Sequence, residues 1–168
     1  MIFKFIYPVI ILLPIVSFAQ EKDCGCCEIR HDQFDFWVGD WVVKNNKGEI
    51  MGYSSIQELE DNCLISEEWR SVNNYSGRSY NYYDPEEKSW NQLWISNSGN
   101  ILKLEGQLVD GKMILTGPEV AGEKGTYRNQ IVWTPKKNGT VTQEWFIING
   151  ENNKREVQFF GIYSPKEE

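Results

Sequence analysis

One histidine, His31, stands in a chain of 168 residues, and no run of lysine and arginine is long enough to make a basic face. The first scarcity leaves little room for catalysis by a Ser-His-Asp or Cys-His unit. Any such unit would have to be built on His31, and no nucleophile elbow is present to display a serine. The second, with a net charge of −7 and a pI near 4.9, argues against a nucleic-acid partner, because phosphate binding needs clustered cations. Glycine-rich phosphate loops are missing as well. No span holds a helical period of apolar residues, which argues against a helix bundle.

The aromatic residues are abundant. They make up 14% of the chain, with seven tryptophans, and apolar residues make up 40%. Side chains so large and flat suit the lining or plugging of a hollow. The length fits one domain with a sizeable core and is too short for two.

The first twenty residues, "MIFKFIYPVIILLPIVSFAQ", read as a leader. Lys4 precedes an apolar stretch, and Ser17-Phe18-Ala19 is a small-x-small cleavage signal. The expected division is a signal peptide over 1–19, a Cys-rich segment over 20–33 and one β domain over 34–165. A membrane anchor is the competing reading, but Pro8 and Pro14 interrupt the stretch and it is short of the ~20 apolar residues a span needs. A lipid anchor on Cys24 does not fit Glu21, Lys22 and Asp23 just before it. Cleavage after Ala19 removes Lys4 and no acid, so the charge moves to −8. The expected location is periplasmic or extracellular, with no membrane span left after cleavage.

Export sets how the cysteines read. Cys24, Cys26 and Cys27 lie together in "CGCC", with Cys63 far downstream. In an oxidising compartment four cysteines favour disulfides, with three possible connectivities. A Cys26–Cys27 bridge would be strained. The expected plan ties Cys27 or Cys26 to Cys63, Cys27–Cys63 being the assigned pair, and staples the leading segment to the domain wall. A metal site from the thiolates and His31 is the alternative, but its spacing matches no trusted zinc pattern. No metal and no cofactor is expected.

The rest is written in period two. Lys47-Gly48, Ser98-Gly99, Asp110-Gly111, Asn138-Gly139 and Asn149-Gly150 suit tight hairpins. Between them the pattern predicts strands at 40–46, 50–60, 63–72, 77–84, 89–96, 100–109, 112–117, 126–134, 140–148 and 155–164, after one aromatic helical turn near 33–38. A meander this long must curl shut or expose two edges. The expected fold is therefore all-β, an antiparallel up-and-down barrel of about ten strands, with a two-sheet sandwich as the alternative. Sorted by parity, neither face is purely apolar. Aromatics mix with Glu, Arg, Gln, Asn and Ser, which suits a cavity with a few placed polar groups. The plainer reading is outward-facing aromatics, or an internal polar network without a ligand.

The stretch "FDFWVGDW" at 34–41 resembles the lipocalin and calycin signature, in which a Gly-x-Trp opens the first strand. With "EEW" at 67–69, "GRSYNYYD" at 77–84, "WNQLWISNSG" at 90–99 and the later "YRNQIVW" and "QEWF", the series resembles exported bacterial lipocalin-like proteins of unknown function. The resemblance runs from Phe34 to about Tyr163. It implies a calycin-type barrel and no established activity. Haem barrels of the nitrobindin type share the architecture but need a histidine ligand, and His31 lies ahead of the barrel. On this resemblance Phe34, Phe36 and Trp37 plug one barrel end, Gly39 lets the backbone pass close, and Trp41 enters as the first inward side chain.

The resemblance, and the cost of burying Glu67, Gln92 and Arg128 without partners, select the inward parity. Glu67, Trp69, Ser79, Asn81, Tyr83, Trp90, Gln92, Trp94 and Arg128 are expected to face one interior space, with Arg78, Tyr80 and Tyr82 outside. The expected function is non-catalytic binding of a small apolar or amphiphilic molecule in the cell envelope. Two alternatives stand beside it. One is a small cyclase- or isomerase-like barrel enzyme using interior Glu and Tyr, for instance Glu67 with Glu144 or Arg128. The other is an envelope interaction module without a ligand. A cavity of several hundred Å³ would favour the first two over the third, and a strongly raised interior carboxylate pKa would favour catalysis over simple binding. The oligomeric state is not legible.

Overall fold

The computed structural model describes residues 24–123 and 125–167. The leader assigned to 1–19 and the first residues of the Cys-rich segment lie outside them. A 3-10 helix, His31–Trp37, precedes eleven strands among the described residues: β1 Gly39–Lys44, β2 Ile50–Leu59, β3 Leu64–Ser71, β4 Ser76–Asp84, β5 Ser89–Ser96, β6 Ile101–Val109, β7 Lys112–Thr116, β8 Val120–Gly122, β9 Gly125–Pro135, β10 Val141–Asn149 and β11 Arg155–Pro165. Ten of them form a closed ring. Each consecutive pair is antiparallel, β7 joins β9, and β11 closes onto β1. Closure leaves the ring no free edge. All ten expected strands are present within two residues at either end. The eleventh, β8, flanks the start of β9, pairing Val120 with Tyr127. It was not expected because its three residues are all exposed, so no alternation marks it.

Parity works as the pattern requires. Along β3, Ile65, Glu67 and Trp69 are buried, and their neighbours are not. On β4 the same holds for Ser79, Asn81 and Tyr83. The hairpin from β6 to β7 turns at Asp110 (φ 49°) and Gly111 (φ 74°), the two positive angles that a two-residue loop needs to match strand twist.

One end of the barrel is plugged. Phe34 and Trp37 are fully buried, and their rings stack 5.0 Å apart at 17°. Trp133 meets Phe34 edge-on at 5.1 Å, and Trp90 does so at 5.6 Å. Trp41 is buried and donates its indole N–H to the Trp37 carbonyl at 2.9 Å, so the helix and the first strand are locked together. Phe36 packs against this core only partly buried. Gly39 is needed for its backbone: φ is 141°, while an added Cβ would meet the Trp41 ring at an ordinary 3.6 Å. Close passage is therefore not the reason for the glycine.

The disulfides correct one expectation. Cys63 is bridged to the N-terminal segment, but its partner is Cys26, and Cys27 pairs with Cys24. Asn62, next to Cys63, donates to Asp32 at 2.9 Å and reaches the Cys26 carbonyl at 3.5 Å. The β2–β3 turn is thus docked on the segment around Cys26, which selects that sulfur. The Cys26–Cys63 bridge spans 37 positions and Cys24–Cys27 only three. On loop-closure entropy the long bridge contributes on the order of 4 kcal/mol and the short one about half as much.

Candidate functional site

The barrel interior away from the plug holds a pocket of about 90 Å³. At roughly 30 Å³ for each water in contact with others, that is room for about three waters or one small organic molecule. It falls short of the several hundred Å³ that a lipid-sized amphiphile would need. Trp69, Trp94, Trp145, Phe159, Leu102 and Ile131 form its walls, and Tyr75, in the β3–β4 turn, borders it at the end opposite the plug. Polar groups also reach it: Glu67, Gln92, Gln143 and Tyr163.

Two glycines make room for the walls. A Cβ on Gly77 would lie 2.3 Å from the Trp94 ring, and one on Gly52 would lie 2.7 Å from the Trp69 ring. Each indole therefore lies across a neighbouring strand at the one place where that strand has no side chain.

Glu67 is the chemical centre. Ser54 donates to its Oε1 and Ser79 to its Oε2, both at 3.0 Å. Asn81 donates to Ser79 Oγ and to the Ile65 carbonyl at 3.0 Å, and Gln92 donates to Asn81 Oδ1 at 2.8 Å. Burial pushes the Glu67 carboxyl up to about 7, against the two serine hydrogen bonds that favour its ionised form. Tyr163 donates its hydroxyl to Gln143. Burial, and then the Glu67 charge, holds that phenol well above its usual range.

The expected residues divide into four groups. Glu67, Trp69, Gln92 and Trp94 line the pocket. Ser79 and Asn81 are fully buried behind Glu67, in its hydrogen-bond network. Tyr83 and Trp90 are inside but belong to the plugged end: Arg30 donates to the Tyr83 hydroxyl at 2.8 Å, His31 packs edge-on against its ring, and Trp90 donates to Gln33 at 3.2 Å. Arg128 does not join them. Ile131 lines the pocket and Asn129 accepts from the Trp145 indole, so the inward parity of β9 is odd and Arg128 falls on the outer face. Glu144 alternates with Gln143 and Trp145, both of which line the pocket, so it too is outward and no Glu67–Glu144 pair forms. Tyr80 and Tyr82 are exposed. Arg78 pairs with Glu68 on the outer wall.

Missed by the sequence reading were Ser54, Tyr75, Leu102, Ile131, Gln143, Trp145, Phe159 and Tyr163. Register would have found those on strands: Phe159 sits opposite Trp145 and Tyr163 opposite Val141 across β10 and β11. The chain matches no known protein-family profile and no curated protein sequence. A closed antiparallel barrel with a buried aromatic cluster is compatible with a lipocalin- or calycin-like fold and with ligand binding. The two disulfides fit an oxidising compartment. Among the described residues no helix is long and apolar enough to cross a membrane.

Proposed function

We propose that the barrel binds a small, partly apolar molecule without transforming it. The observation that carries this is the aromatic-walled pocket ending on Glu67, Gln92, Gln143 and Tyr163. Apolar walls with a few convergent polar groups are the usual make-up of small-molecule sites. At 90 Å³ the pocket is below the several hundred Å³ that would by itself favour a ligand over an interaction module, so the reading rests on the make-up of its walls, and the occupant is smaller than a lipid tail.

The test is tryptophan fluorescence. Small amphiphiles of about five heavy atoms are expected to change it saturably. Trp94→Ala should weaken binding roughly tenfold or more, the order expected when a large ring leaves a buried contact. The outward Tyr80→Ala should leave it unchanged. Equal affinities for the two variants would place the ligand outside this pocket, and no change with any amphiphile would speak for an interaction module without a ligand.

A second reading rests on the same carboxyl. A group titrating near 7 can take and return a proton at neutral pH, so Glu67 with Tyr163 is a candidate acid–base pair for an isomerase-like reaction. The raised carboxyl counts for catalysis, but this reading ranks second because Glu144, the expected second acid, faces outward and the Tyr163 phenol is held well above its usual range.

The compartment we propose is the periplasm or the exterior, on the leader at 1–19 and the disulfides. The intact mass of exported protein should correspond to a chain starting at Gln20 or Glu21. A mass that retains Met1 on membrane-bound material would reverse this.

A further inference from the structure

We infer that the pocket selects a small organic cation, an ammonium group on an apolar body, with Glu67 as its counter-ion. This rests on the binding function proposed above and adds the ligand's charge.

The hydrogen bonds around Glu67 all run one way. Gln92 donates to Asn81, Asn81 to Ser79, and Ser79 to the carboxyl, while Ser54 donates to its other oxygen. Ser79 accepts from Asn81, so its own proton is free to pass on to Glu67. Donors aligned head to tail reinforce one another and favour negative charge at the end of the chain. Ser79 is held as a donor by Asn81, whereas the Ser54 hydroxyl can turn either to donate to a carboxylate or to accept from a protonated carboxyl. The Ser79 branch of the network therefore favours a carboxylate.

That carboxylate has no protein counter-ion in the pocket. Among the described residues lining it are no lysine, arginine or histidine. The titratable groups that face Glu67 there are Tyr75 and Tyr163, and neither is cationic. Arg128, the one basic side chain that the sequence reading placed inside, is on the outer face. A buried charge without a partner is costly, and burial accordingly holds the Glu67 proton on up to about 7. A cation removes that cost.

The walls suit the same occupant. Three indoles and Phe159 surround the space, and aromatic faces attract a desolvated ammonium. A neutral ligand would leave Glu67 unpaired, an anion would be repelled by it, and the chain's net charge of −7 draws cations toward the protein.

The probes are isobutylammonium and isobutanol, which fit a space of this size, have the same shape and differ in charge. Calorimetry with the full mature chain should show the ammonium binding at least about tenfold more tightly at about pH 8, the size of a partly desolvated cation–π and ion-pair contribution. Between about pH 8 and about pH 5.5 its affinity should fall roughly 30-fold as Glu67 protonates, with a proton released on binding. Glu67→Gln should erase the preference. Alcohol binding as tightly as ammonium, or ammonium binding that ignores pH in the unaltered chain, overturns the cation assignment and leaves the interior site standing. Failure of both probes to bind overturns the assignment together with the proposed binding function. The pH series uses the native sequence, so the outcome does not depend on whether the variant folds.

Discussion

Trp37→Ala is expected to lower the unfolding free energy by about 3–5 kcal/mol, the cost of emptying a large buried aromatic site. Trp37 has no solvent exposure. It stacks on Phe34 at 5.0 Å and meets Trp133 at 5.4 Å and Tyr163 at 6.2 Å. Alanine would remove three ring contacts at once and leave a hole bounded by β strands that are held in a closed ring. Such a ring cannot contract to fill it. The Trp41 indole bond would survive, because it is made to the Trp37 backbone carbonyl, so the loss reports packing. Urea unfolding is the measurement. At a slope of about 2 kcal/mol/M the midpoint should fall by roughly 2 M with the slope unchanged. Phe36→Ala, at a half-buried position, should cost clearly less. A Trp37→Ala midpoint within a few tenths of the parent would mean that the 3-10 helix does not plug the barrel.

The second large effect is on the pH dependence of stability. The folded-state pKa of Glu67 is raised from 4.5 to about 7. Between those values the folded chain holds a proton that the unfolded chain has released. The contribution is therefore fully present below about 4.5 and is lost as pH rises through about 7. For a group 6% exposed the total is on the order of 3 kcal/mol. Asp35 acts in the same direction, its carboxyl pushed up to about 6 by burial first and then by Glu58 and Asp32. Urea midpoints measured across this range should thus fall with rising pH. Glu67→Gln should remove most of the slope and leave the smaller part that belongs to Asp35. A slope of the opposite sign, or one that Glu67→Gln leaves intact, would show that Glu67 is ionised throughout.

The barrel was legible because its strands alternate and four of the expected turns carry glycine where φ is positive, at Gly48, Gly99, Gly111 and Gly139; at Asn149-Gly150 the positive angle falls on Asn153 instead. β8 was not, since a strand with every residue exposed has no alternation to read. The disulfide partner of Cys63 is set by how the β2–β3 turn docks, which cysteine spacing does not encode. Parity told inside from outside for Glu67, Trp69, Gln92 and Trp94. It did not tell height along the barrel, which is why Tyr83 and Trp90 were grouped with the pocket although they sit against the plug. Arg128 went astray because β9 is buried on both faces: Gln130 and Val132 on one, Ile131 and Trp133 on the other. Along β10 most residues are half-buried, so the inward row of Gln143 and Trp145 stands out only once the register with β9 and β11 is known.

The central claim is that the interior beside Glu67 is occupied by a small molecule. Native mass spectrometry of the chain purified from its own cell envelope tests it most directly. The expected spectrum shows the folded chain carrying one small organic adduct, which is lost on mild activation and absent from Trp94→Ala prepared in the same way. A spectrum of bare chain, or an adduct retained equally by Trp94→Ala, would contradict it.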